Sequence, residues 1–106
     1  MQESDWKVFR AMTPELRERY LREKNEELKR MLEEVGKTPT ERFWNAAEKS
    51  EEVAKILRRC LDGHSRSKMQ GFMAQMLQDG LLRREDLDKF SADLRERLIA
   101  WTDCPL

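Results

Sequence analysis

Apolar residues recur along this chain at the three-and-four spacing of an α-helix, and no segment alternates over the length of a strand. Leu16, Tyr20, Leu21, Leu28, Met31, Leu32 and Val35 share one broad face of the first long stretch. Thr13 is placed to cap it, Pro14 sits where a first-turn residue needs no N–H, and Gly36 closes it. "TPTE" at 38–41 repeats the device: Thr38 as cap, Pro39 in the first turn, Glu41 completing a capping box. The stripe that follows is Phe43, Ala46, Ala47, Val53, Ala54, Leu57, Cys60 and Leu61, with Gly63 as the stop. Ser50 lies in phase with that stripe, which favours one long helix over two short ones.

Two further stripes complete the pattern. Met69, Phe72, Met73, Met76 and Leu77 run from a cap at Ser65 to Gly80. Leu87, Phe90, Leu94, Leu98 and Trp101 form the last, with Glu85 and Asp86 at the positive end of its dipole. A short leading helix around Trp6, Phe9 and Met12 precedes them all. Helices are therefore predicted near 5–12, 14–35, 39–62, 65–79 and 84–101. The connections are short, which makes sequential helices antiparallel neighbours. The predicted fold is all-α, a single domain over 1–106: a compact bundle of four main amphipathic helices plus a short N-terminal one. "TPEL" and "TPTE" resemble each other, but the sequences after them do not match, so no internal repeat is read.

Composition agrees with helices whose outer faces are densely charged. Of 106 residues, 40% are charged and 39% apolar, with four glycines and three prolines. The 21 basic and 21 acidic residues cancel, so overall charge predicts no attraction to nucleic acid or anionic lipid. Cys60 and Cys104 do not make a disulfide framework, and the sequence leaves a single bridge between them open. The N-terminus lacks the basic-then-apolar order of a signal peptide, and no apolar run approaches the ~18 residues of a membrane span. The expectation is a cytoplasmic protein with reduced thiols and no membrane contact.

Local charge is less even. Residues 53–84 hold seven basic side chains against Asp62 and Asp79, whereas 85–106 hold three against six acidic ones. Around "LDGHSRSKMQGF" the cations converge on a helix start, whose free N–H groups already favour anions. Arg58, Arg59, Arg66 and Lys68 are thus the predicted anion- or partner-binding surface, with Ser65 and Ser67 as helix-end donors. The opposing expectation is a solvated cap whose cations pair with the acidic last helix. The order of a phosphate-cradling loop is missing, so nucleotide hydrolysis is not suggested.

These features predict a small non-enzymatic interaction or regulatory protein that binds another protein through this basic, helix-end surface. The alternative is a nucleic-acid-binding regulator with a helix-turn-helix-like segment at 53–82, placing Arg66, Lys68 and Gln70 toward a groove. The length of the preceding helix and the absence of a wing strand count against it.

Met69, Phe72, Met73 and Met76 fit either the core or, in a bundle incomplete as a monomer, an apolar partner or dimer face. Asn25 interrupts an apolar face, where it either fixes the register of a homo-oligomer or sits at the stripe's edge in water. Trp44 and Ile56 lie off the centre of their stripe. Either that helix is contacted on two sides, or part of a second face is open to a partner. Metal and catalytic patterns are poor. Cys60 and His64 stand four apart with Gly63 between them, and too few further ligands exist for a closed zinc site. Asp62, His64 and Ser65 are neighbours in a turn, which does not align a triad. Glu26, Glu27, Glu33 and Glu34 read as solvated helix charges. No cofactor, metal or catalytic residue is predicted.

Overall fold

The computed structural model describes residues 2–102, and these are all helix, turn and loop with no strand. Helix α1 spans Glu3–Leu32, α2 Pro39–Leu61, α3 Met69–Asp79 and α4 Ala92–Thr102. Single 3₁₀ segments, Arg66–Lys68 and Arg84–Lys89, lead into α3 and α4. The described residues extend 52 × 28 × 20 Å, because α1 and α2 form a long hairpin and the two short helices pack only against its open end. Among them no helix is long and apolar enough to cross a membrane. Cys104 lies outside the described residues.

The leading helix predicted at 5–12 is present but not separate. It runs through Thr13 and Pro14 into the next, because Thr13 does not cap: its hydroxyl donates to the Phe9 carbonyl at 2.8 Å, back along the helix. Proline inside a helix costs about 3 kcal/mol. What offsets that cost is a continuous buried row, Trp6, Phe9, Met12, Leu16 and Tyr20, which a break at Pro14 would divide. The helix ends at Leu32, so Val35 falls beyond it and stands 93% exposed. Thr38 and Glu41 make the reciprocal capping box that opens α2.

Two predicted helices begin later than the pattern suggested. Residues 66–68 wind as 3₁₀, and Ser65 precedes them without a side-chain cap bond. The last helix breaks at Phe90 and Ser91, so that 84–89 is a 3₁₀ segment and α4 starts at Ala92. The break has a polar cause. Asp5 of α1, only 4% exposed, accepts from the Ser91 backbone N–H at 2.8 Å and from its hydroxyl at 2.7 Å. Ser91 in turn accepts from Leu94 N–H. Gly80 ends α3 with φ near 88°, and the N–H groups of Leu81 and Leu82 close onto the Met76 carbonyl.

The core lies at the open end, where α3 is enclosed. Met69, Met73 and Met76 are fully buried against Phe9, Leu81, Leu87 and Leu98. They are therefore core and not a dimer face. Phe72 is half-buried against the His64 ring, 4.5 Å away between centroids. A second tie joins the short helices to the hairpin. Arg19 grips Asp86 through both terminal nitrogens, at 3.1 and 2.7 Å, and also donates to the Leu81 carbonyl.

Two stability experiments follow from these ties. Asp5→Ala leaves the half-buried Ser91 N–H and hydroxyl without their acceptor and should cost about 2 kcal/mol, lowering Tm by roughly 10 °C; an unchanged melting curve would contradict the role given to Asp5. Asp86 is held below the usual carboxylate range, first by its hydrogen bond from Arg19 and then by the Arg83 N–H. Its contribution is therefore complete above about pH 4 and is lost as falling pH protonates the folded carboxylate. Urea titrations at descending pH should show this loss, and Asp86→Asn should remove it.

Candidate functional site

The turn between α2 and α3 carries most of the residues that the sequence singles out. Gly63 takes φ 83°, which lets the chain reverse and drop the His64 ring between Phe9 and Phe72. His64 Nε2 lies 2.7 Å from the Cys60 carbonyl, an acceptor, so that nitrogen carries the hydrogen. The only histidine is thus a packing and turn-fixing residue.

The predicted basic surface is largely neutralised within the chain. Arg66 donates through Nε and Nη2 to both oxygens of Glu3, at 3.1 and 2.9 Å, and its guanidinium lies 5.6 Å from the Trp6 ring. The same hydrogen bond holds the Glu3 carboxyl below its ordinary range. Arg59 donates twice to Asp79 Oδ2, and Arg58 to Glu51. The matching acids come from α1, α2 and α3, not from the last helix. Lys68 is exposed and has no ion pair among the described residues. Ser65 and Ser67 place their hydroxyls 3.4 Å apart. A cleft of about 390 Å³ opens beside Arg66 and Ser67, with Asp93 and Arg97 across it. Arg97 is paired with Asp93 at 2.6 Å, so neither arginine of the cleft is unpaired.

One polar cluster was not visible in the sequence. Cys60, fully buried, donates its thiol hydrogen to Asp79 Oδ2 at 3.3 Å, where Gln75 and Arg59 also converge. Burial, and then the Asp79 carboxylate, push the Cys60 thiol up to about 12. Burial also works against the Asp79 charge, but hydrogen bonds from Gln75, Arg59 and Cys60 outweigh it and hold that carboxyl low. The cluster locks α2 to the end of α3, and a thiol so protonated is a poor nucleophile or metal ligand. Among the described residues no three potential ligands gather.

Ile99 and Trp101 of α4 are exposed, the latter although its phase predicts a core position, but most of the large exposed apolar side chains lie elsewhere, on the hairpin. The α2 stripe read from the sequence divides in space. Ala46, Lys49, Val53, Ile56 and Cys60 turn toward α1 and the core, with Lys49 reaching Glu27 at 3.7 Å. Phe43, Ala47, Ser50, Ala54, Leu57 and Leu61 form a second seam at strict four-and-three spacing. On α1 the series Leu21, Asn25, Leu28 and Leu32 has the same spacing. Arg19 and Glu23 of α1 reach toward Asp86 and Arg83, which places the short helices on one side of the hairpin. Both seams lie about a quarter-turn from the contact between α1 and α2 and on the opposite side. Toward the open end Leu21, Leu57 and Leu61 are half-buried at the edge of the core. Toward the tip the seam is bare: Leu32 is 51% exposed and Phe43 57%. Trp44, 63% exposed, stacks edge-on against Phe43 at 5.0 Å. Asn25 and Ser50 are exposed, and neither side chain hydrogen-bonds among the described residues. Ile56 packs on the core and Trp44 stands outside it, so α2 has both an inner contact and an open second face.

Comparison with family models, with curated proteins and with solved structures finds no match for this chain.

The buried thiol gives a direct check of this geometry. In a Cys104→Ser chain, Cys60 should resist iodoacetamide at pH 8 and react fully once urea unfolds the protein. Rapid labelling of the folded chain would contradict both the burial and the Asp79 bond.

Proposed function

We propose that this chain is a non-enzymatic helical interaction protein whose docking surface is the outer seam of the α1–α2 hairpin. The observation that carries the reading is that both long helices bear a heptad-spaced apolar series on the side away from the short helices, bare at Leu32 and Phe43 toward the hairpin tip. Heptad series spaced in this way bury their side chains against another helix. Small proteins rarely leave a contiguous patch of large apolar side chains in water unless a partner covers it.

The basic helix-end surface has less behind it. Arg58, Arg59 and Arg66 each hold a carboxylate of the same chain, and another anion would have to displace Glu51, Asp79 or Glu3. The same occupancy weakens the nucleic-acid alternative, because few of the cations that it needs are unpaired.

A photoreactive benzophenone side chain introduced in place of Ser50, in the cells that make the protein, should yield a discrete covalent adduct whose peptides map to a helix. The same group in place of Gln78, exposed on α3, should not. No adduct at 50, or equal adducts at both positions, would remove the docking-face reading.

A further inference from the structure

We infer that the occupant of the outer seam, read as a docking face above, is a second copy of this chain, with α1 of each copy lying antiparallel over α2 of the other. The two seams are complementary to each other. A single register pairs Asn25 with Ser50, Leu28 with Ala47, Leu21 with Ala54 and Leu32 with Phe43. Within one hairpin, the Glu27–Lys49 ion pair and the bond from Arg42 to the Glu34 carbonyl set the levels of α1 and α2 within one residue of that register. A two-fold axis running along the hairpin leaves every level in place. It therefore stacks α1 of one copy on α2 of the other in the pairing that the seams require.

Size, polarity and charge agree with this arrangement. On either side of the centre a leucine meets an alanine, so a large side chain enters the space left by a small one. At the centre the Asn25 amide meets the Ser50 hydroxyl, a donor and acceptor pair for two groups that bond to nothing among the described residues. Along the flank, Arg22 comes to the acid and Glu15 to the base of the Glu51–Arg58 pair that each chain already makes, so the four alternate in sign, and Lys29 faces the ring of Trp44; all six are exposed in the single chain. A two-fold axis across the helices would instead set leucine on leucine and bring Arg22 beside Lys29 of the other copy.

The area suits a weak, concentration-dependent pair. The paired segments 21–32 and 43–54 run about 17 Å at 1.5 Å per residue, and two helices side by side are roughly 20 Å wide. Two such faces bury on the order of 700 Å² in all, the size of a transient contact and below that of a permanent interface. The short helices sit on the outer side of both hairpins and do not obstruct it.

Sedimentation equilibrium over about a hundredfold range of concentration should give a species of twice the 12.7 kDa chain mass. Ala47→Glu/Ala54→Glu should weaken association about 100-fold or more, with helical circular dichroism retained. In the Cys104→Ser chain, Asn25→Cys mixed with Ser50→Cys should form a disulfide, and neither variant should do so alone. A single-chain mass throughout, an unaffected mass in the glutamate variant, or cross-linking of Asn25→Cys to itself would each overturn the pairing. A monomeric chain that still gives the Ser50 adduct with another protein would remove the second copy and leave the docking face standing. A monomer that gives no adduct would remove both.

Discussion

The rest of this structure depends on a mismatch of length. Helices of 30 and 23 residues pack against two of 11, and the short pair cannot cover the long one. A helix advances about 1.5 Å per residue, so α1 runs roughly 45 Å while α3 and α4 each run about 16 Å. One end of the hairpin therefore becomes a core, with Phe9, the α3 methionines and the leucines at 81, 82 and 87 sealed from water. The other end projects as two helices that have only each other. The apolar residues on its outer side then need an explanation, since burial of such side chains is the main source of helix association in water.

The open end is tied down by polar groups as much as by apolar ones. Asp5 meets the backbone and hydroxyl of Ser91, Arg19 grips Asp86, and Arg59, Gln75 and Cys60 converge on Asp79. Apart from the Gln75–Asp79 bond within α3, each tie joins separate elements, and together they fix where the short helices sit. That placement decides which side of the hairpin is left bare. The continuity of α1 through Pro14 matters in the same way, because a break there would free its first turns from the row that ends at Tyr20.

Much of this was legible in the sequence, and the failures have physical reasons. Four stripes, the Thr38–Glu41 capping box and the stop at Gly80 gave the helices, because each is a local signal. Pro14 was read as a helix start because local preference for the first turn is strong, while the row that overrides it is a tertiary effect. The break at Ser91 depends on Asp5, a residue 86 positions away that no local pattern could reveal. An acid in phase with Phe9 and Met12 was the available signal. Arg58, Arg59 and Arg66 of the basic surface each meet a carboxylate of the same chain, two of them across helices, a pairing invisible in a count along the chain. The methionine stripe was correctly phased, and only packing could show that its face points inward. Trp44 and Asn25 were the residues that marked the second face, since each sits where a single apolar stripe cannot account for it.

Concentration-dependent hydrogen exchange tests the central claim, that a second copy covers the outer seam. Amides of 21–32 and 43–54 should exchange faster on dilution, while those of 69–79 in the core should exchange at a rate independent of concentration. Exchange in both hairpin segments that is equally fast at every concentration would mean that the seam remains in water and that the account is wrong.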